Sequence, residues 1–334
     1  MGVVLASHCP APGRRVQGVF GVGIAIGSRR DRLASSGVNQ ATTSVPTEAG
    51  ELRAIIYRPD GDGPVPGVVL VDGAGEGTAD GWDRWPTAIA DLGAVVLAHD
   101  KPGCGGSPGD WRKQSFEDRA RETLAAVDLL RHDPDVDPAR VGLLGISQGG
   151  WISYIAASHA PQVINQLVSV SGPGVSAAEQ ERYRIECAVN SDPEAMAWVD
   201  ERTQRLLAGE APDSIISAQL AHADRPWFSA ACDYYDQPEV LALAARVYNF
   251  DPASVLPAIR CRVFAAFGGA DTSVPAGRSA AILSSLLPSD PQHALAVYPG
   301  ADHNLFITEP DPAVPLADQL APGFMQMLAA WLKA

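Results

Sequence analysis

From Glu51 onward the chain alternates between short apolar runs and longer stretches in which apolar residues recur every three or four positions. Runs of about four to eight apolar residues are the pattern of buried strands, and the three-to-four spacing is that of helices with one apolar face. Strands are predicted at "LRAIIY" (52–57), "VVLV" (68–71), "AVVLAHD" (94–100), "RVGLLGI" (140–146), "QLVSVSG" (166–172), "CRVFAAFGG" (261–269) and "HALAVYPG" (293–300). Helices are predicted at "RWPTAIADLG", from Ser115 to Arg131, and at 149–159, 276–287 and about 318–333. Strands and helices that alternate in this way build a mostly parallel central sheet flanked by helices, an α/β fold.

Two segments fall outside that alternation. Residues 173–257 are mostly helix-forming and rich in aromatics, and Pro173 to Ala258 hold 14 acidic against 6 basic residues, more than half of the net charge of -14. An insertion of this length cannot be a structureless loop in a compact domain. It reads as a helical cap over the carboxyl edge of the sheet, inserted into a core of residues 46–172 and 258–334. Residues 1–45, rich in Ser, Thr, Gly and Arg, read as a poorly ordered leader. Within them Gly21, Gly23 and Gly27 imitate a dinucleotide fingerprint, but the spacing is wrong by one and no strand–turn–helix unit surrounds it.

The acidic balance disfavours nucleic acid or an anionic membrane as partner, since phosphate would be repelled over most of the surface. A small-molecule ester or amide is the expected partner, and a homodimer is left open. Five scattered cysteines without C-x-x-C spacing indicate neither a disulfide framework nor a zinc site. No apolar run has the length of about 18 residues that a membrane span needs. "RRVQGVFGVGIAIGSRRDR" lacks the small-residue cleavage site of a signal peptide, so a cytoplasmic location is expected.

The candidate chemistry starts at "GLLGISQGGW". Gly145, Ser147 and Gly149 fit G-x-S-x-G with a strand before and a helix after, the context in which a serine is lifted onto a strained, open turn. A serine hydroxyl needs a base held by a third group. Of the seven histidines, His303 in "YPGADHNLF" stands just beyond a strand end and before the final helix, whereas His99 precedes the serine and is a weaker candidate. The acid is expected between serine and histidine at another strand end, where Asp271 in "FAAFGGADTSVP" stands; Asp302 rivals it by adjacency alone. Oxyanion donors are expected at the Gln148 amide, which follows the nucleophile, and at the Ala74 amide in the glycine-rich "VVLVDGAGEG". Trp227 and Tyr234, from the densest aromatic run of the insertion, are the candidate substrate contacts.

Ser147, Asp271 and His303 in this order resemble the α/β-hydrolase superfamily, over roughly Glu51 to Ala334. The phrases "HDKPGCGGSPGDW", "SFEDRARETLAAVDLLR", "ARVGLLGISQGGW" and "VSVSGPGVSAAEQERYR" are similar to bacterial esterase- and acylaminoacyl-peptidase-like enzymes, relatives of dienelactone hydrolase and the S9 peptidases. Two positions depart from that group: Asp72-Gly73 stands where His-Gly is usual, and Pro102 replaces the arginine of Asp-Lys-Arg-Gly. The resemblance implies two-step hydrolysis of a carboxylic ester of small or medium size without metal or organic cofactor. Ser147 would be the nucleophile, His303 the base and Asp271 its orienter. An aminopeptidase-like or acylaminoacyl-peptidase-like amide hydrolase, or an acyltransferase, thioesterase or lyase, would use the same scaffold.

Overall fold

A computed structural model describes residues 37–61, 63–289 and 293–334. The strands are β1 (Asn39–Thr47), β2 (Gly50–Arg58), β3 (Val65–Val71), β4 (Val95–His99), β5 (Val136–Ile146), β6 (Gln166–Val170), β7 (Arg262–Gly268) and β8 (Ala294–Tyr298). They form one eight-stranded sheet in the order β1-β2-β4-β3-β5-β6-β7-β8. The β1/β2 and β2/β4 pairs are antiparallel and every other pair is parallel.

Strands β3 and β4 are almost wholly apolar because both faces are covered. Val69, Val71, Val95 and Leu97 face one hydrophobic cluster, and Val68, Leu70, Val96 and Ala98 face the other, the two-residue alternation of a pleated strand. Helices α1 (Trp85–Ala90), α2 (Phe116–Arg131) and α3 (Gln148–His159) follow β3, β4 and β5. Helix α2 starts where "SFED" says it should: the Ser115 side chain accepts from the Asp118 amide, and Asp118 accepts in return from the Ser115 amide.

Between β6 and β7 the chain forms α4 (Ala177–Ala188), α5 (Pro193–Leu207), α6 (Pro212–Gln219), α7 (Phe228–Cys232) and α8 (Pro238–Val247), with short 3-10 turns after α6, α7 and α8. Helices α9 (Ala276–Leu286) and α10 (Phe324–Lys333) complete the core.

Strands β3 and β5 begin three and four residues before the sequence reading places them, and two larger boundaries differ as well. The segment Asn39–Val45, assigned to the leader, belongs to β1, which pairs along its full length with β2; the leader's first 36 residues lie outside the described residues. Only Val45 of β1 is buried, so this polar edge strand has no apolar alternation to reveal it. Its Pro46 is tolerated because an edge strand has one side without ladder bonds. The last helix starts at Phe324 and not near 318, because Pro322 and Gly323, the latter at φ 88°, break the chain direction just before it.

The order of strands decides where a site can form. From β3 the chain goes to β4 on one side, and β5 lies on the other. At such a reversal the loops leaving the two strands diverge and open a crevice at their carboxyl ends. Val71 pairs with Gly145, so the loop from Asp72 and the turn at Ser147 are neighbours.

Candidate active site

Ser147 occupies the turn between β5 and α3 at φ 55° and ψ -124°. A side chain with a β-carbon is strained there, at a cost of order 1–3 kcal/mol, and such strain persists only where surrounding structure holds it. Two backbone bonds do the holding: the Ser147 amide donates to the Val170 carbonyl (2.9 Å), and its carbonyl accepts from Gly150 (2.8 Å). The flanking glycines are required by close approach. A β-carbon at Gly145 would strike the Gly149 carbonyl, and one at Gly149 would strike the Val71 carbonyl.

Asp271 follows β7, with a side chain excluded from solvent. Its Oδ1 accepts from the Ser273 and Val274 amides (2.7 and 2.9 Å), and its Oδ2 lies 2.8 Å from His303 Nδ1. Since an ionised carboxylate only accepts, Nδ1 carries the proton and Nε2 presents a lone pair. Nε2 is buried and unbonded among the described residues. No Ser147–His303 hydrogen bond is formed, an arrangement common before substrate tightens such sites. Asp302 is turned elsewhere: its Oδ1 accepts from the Asn304 and Phe306 amides of its own loop, both at 2.9 Å. His99 is buried far down the strand end and bonds the Asp100 carbonyl through Nδ1 (2.9 Å).

Burial works against a charged His303, but the Asp271 carboxylate outweighs it and raises the imidazole above its ordinary value of 6.5. A base must be neutral to accept a proton, so kcat/KM is expected to rise with pH through a limb above 6.5. The same limb should move down in Asp271→Asn, where the raising charge is gone. A pH–rate profile whose acidic limb lies below 6.5 in the wild type, or does not move in the variant, contradicts His303 as the base.

Helix α4 grips the acid loop, which sequence reading does not reveal. Gln180 Nε2 donates to the Ser273 carbonyl (2.8 Å), and the Tyr183 hydroxyl donates to the Asp271 carbonyl (3.0 Å). The spacing of three residues places both on one helix face.

The expected oxyanion donors lie on either side of Ser147. Gln148 is the first residue of α3, and a β-carbon added to Gly73 would stand 3.5 Å from Ser147 Cβ, so the Asp72–Gly75 loop runs beside the serine. Neither the Gln148 nor the Ala74 amide has a hydrogen-bond acceptor among the described residues. Preorganised donors of this kind can stabilise a developing oxyanion.

The two aromatic candidates separate. Trp227 is buried inside the insertion, its ring 5.3 Å from His222, which stands 5.1 Å from Trp198, and Nε1 reaches Glu194 at 3.5 Å. These contacts belong to the insertion's own packing. Tyr234 is half-buried and packs edge-on to Tyr235 at 5.1 Å.

Among the described residues no group of His, Cys, Asp and Glu could hold a metal ion, and no helix is long and apolar enough to cross a membrane.

The sequence profile described as X-Pro dipeptidyl-peptidase (S15 family) matches residues 49–248, more than half of the chain, and that of the dienelactone hydrolase family matches residues 215–332. Acyl-coenzyme A thioesterase 1 of Mus musculus is 31% identical over 137 residues, covering 40% of this chain and 31% of that protein. Dipeptidyl-peptidase 5 of Porphyromonas gingivalis is 28% identical over 136 residues, covering 38% of this chain and 20% of that protein. The chain thus spans no more than about a third of the length of these curated relatives. Among solved structures, the 2,6-dihydroxy-pseudo-oxynicotine hydrolase superposes with a TM-score of 0.58 at 18% identity, over 87% of this chain and 68% of that one. At that identity the likeness speaks for the fold.

Proposed function

Because this chain belongs to the X-Pro dipeptidyl-peptidase (S15) family of α/β-hydrolases, we propose that it is a serine hydrolase that cleaves a carboxylic ester of a small or medium organic substrate through an acyl-enzyme. One observation carries the reading: a serine at φ 55° on a strand–helix turn, with a His303–Asp271 pair at 2.8 Å beyond the ends of β7 and β8 in the same sheet. Ser147 Oγ attacks the substrate carbonyl as His303 Nε2 takes its proton. The tetrahedral oxyanion forms against the Gln148 and Ala74 amides. His303 returns the proton to the leaving group, and water, deprotonated by the same imidazole, releases the acid. Asp271 keeps the proton on Nδ1 and stabilises the imidazolium in both steps.

Amide hydrolysis is the second reading, favoured by the family match over residues 49–248. A peptidase that trims chain ends needs a carboxylate to receive the substrate's amino group. The most buried acid of α4, Glu181, is already engaged by Arg184 (2.9 and 2.6 Å) and by the Tyr235 hydroxyl (2.5 Å), which argues for the ester. Thioester cleavage, the activity named for the Mus musculus relative, would use the same atoms. Turnover of p-nitrophenyl esters of rising chain length, beside aminoacyl p-nitroanilides and an acyl-CoA, separates the three. Ester turnover absent while an anilide or thioester is cleaved would replace the proposal.

The helical insertion is proposed as a cap that forms a wall of the substrate pocket. Tyr234→Ala is expected to change the ratio of kcat/KM between short and bulky esters while fluorophosphonate labelling of Ser147 keeps its rate. Trp227→Ala should lower Tm and leave that ratio alone. Equal losses on every ester in Tyr234→Ala would move selectivity to the loops at Asp72 and Pro102. A cytoplasmic protein acting on a small molecule is proposed, in keeping with the buried thiols of Cys104 and Cys232.

A further inference from the structure

Lys101, two residues beyond the end of β4, is 1% exposed. A lysine so deeply buried is rare, because its ammonium gives up water and must be repaid by partners. Its partners are not carboxylates. Nζ donates to the Gly73 carbonyl and the Gly75 carbonyl, each at 2.6 Å. A second buried cation, Arg119 of α2, donates from Nη2 to the Asp72 carbonyl at 3.2 Å. The ammonium also stands 5.8 Å from the centre of the Trp111 ring, and its stem passes beneath Gly77, where an added β-carbon would meet Lys101 Cε at 3.0 Å. Two cations on two elements thus hold three carbonyls of one four-residue loop.

Inside the loop the Gly73 amide donates to Asp72 Oδ1 at 2.8 Å, a bond that fixes the 72–73 peptide and leaves the next one to be held from outside. The 73–74 peptide plane turns about ψ of Gly73 and φ of Ala74, and a glycine on one side lowers the steric resistance to that rotation. In a planar trans peptide the carbonyl and the following N–H point in opposite directions. The Gly73 carbonyl is held toward Lys101, so the Ala74 N–H is held away from it, and Gly73 is the residue that passes Ser147.

We propose that Lys101 is a positioning residue that fixes the Gly73–Ala74 peptide plane so that the Ala74 amide faces the oxyanion developing at Ser147. The inference rests on the serine-hydrolase reading of the site. Lys101 touches neither substrate nor reacting atoms; it acts through the carbonyls it holds. Burial lowers its ammonium to about 7, against the opposing pull of Asp72.

The test is Lys101→Met, which keeps the length of the stem beneath Gly77 and removes the donor. With p-nitrophenyl acetate kcat should fall about 10²-fold, the scale of one lost oxyanion donor, while KM stays within about threefold. Affinity for a trifluoromethyl ketone, which binds as an oxyanion adduct on Ser147, should fall by the same factor. A loss of packing alone would lower Tm without pairing these two losses. Ala74→Pro removes the amide directly, and adding Lys101→Met to it should cost nothing more, since groups acting through one atom are not additive. Unchanged kcat in Lys101→Met, or losses that multiply in the double variant, overturns the proposal. Should Lys101→Met fail to fold, Lys101→Leu, which also removes the donor and keeps an apolar stem, is read in its place, and wild-type kcat there overturns the proposal equally. Turnover that survives Ser147→Ala would instead bring down the serine-hydrolase reading itself.

Discussion

Alanine in place of Ser147 is expected to lower the proposed ester turnover by about 10⁶-fold, the scale found when a triad nucleophile is deleted, and to abolish labelling by a fluorophosphonate. Folding is expected to survive. The structural bonds at this residue run through its backbone, from its amide to Val170 and from Gly150 to its carbonyl, and alanine keeps both. The φ of 55° is no harder for alanine than for serine, so Tm should stay close to that of the wild type. Intact-protein mass spectrometry after fluorophosphonate treatment checks the assignment. A variant that still gains the adduct at an unchanged rate means that another nucleophile was being read.

The second large effect belongs to the acid. Asp271→Asn should cost on the order of 10⁴ in kcat, as the equivalent exchange does in a serine protease by favouring the wrong imidazole tautomer. An asparagine can still accept from the Ser273 and Val274 amides through its oxygen. Its amide group then donates toward His303 Nδ1 and forces the proton to Nε2, the atom that must accept. Asp302→Asn should stay near wild-type turnover, because the Asp302 carboxylate serves its own loop through Asn304 and Phe306. The reverse ranking of the two variants would transfer the role of orienter to Asp302.

What can be read from the chain follows from how local each signal is. The strands β3, β4, β6 and β7 are legible because burial leaves them nearly without exposed polar positions, and the turn at Ser147 because its glycines stand at a short fixed spacing. Asp271 and His303 are legible by their places at strand ends. The strand β1 is not, since eight of its nine residues remain at least partly exposed and its pairing partner, not its own pattern, defines it. Lys101 is invisible for a related reason: a lysine reads as solvated surface until the carbonyl 28 positions earlier is brought against it. Trp227 and Tyr234 come from one aromatic run of similar hydrophobicity, and only packing tells which of them closes on its own helices.

The two hydrogen bonds from α4 to the acid loop bear on how this chain could be rebuilt. A chimaera that exchanged everything between β6 and β7 for a foreign insertion would discard Gln180 and Tyr183, and with them the supports of the Ser273 and Asp271 carbonyls. The graft would reshape the pocket and loosen the acid at once, so a dead chimaera would say nothing about substrate fit. The seam between the transplantable part and the inherited machinery therefore runs after Ala188, the end of α4, and the first helix of the insertion travels with the sheet.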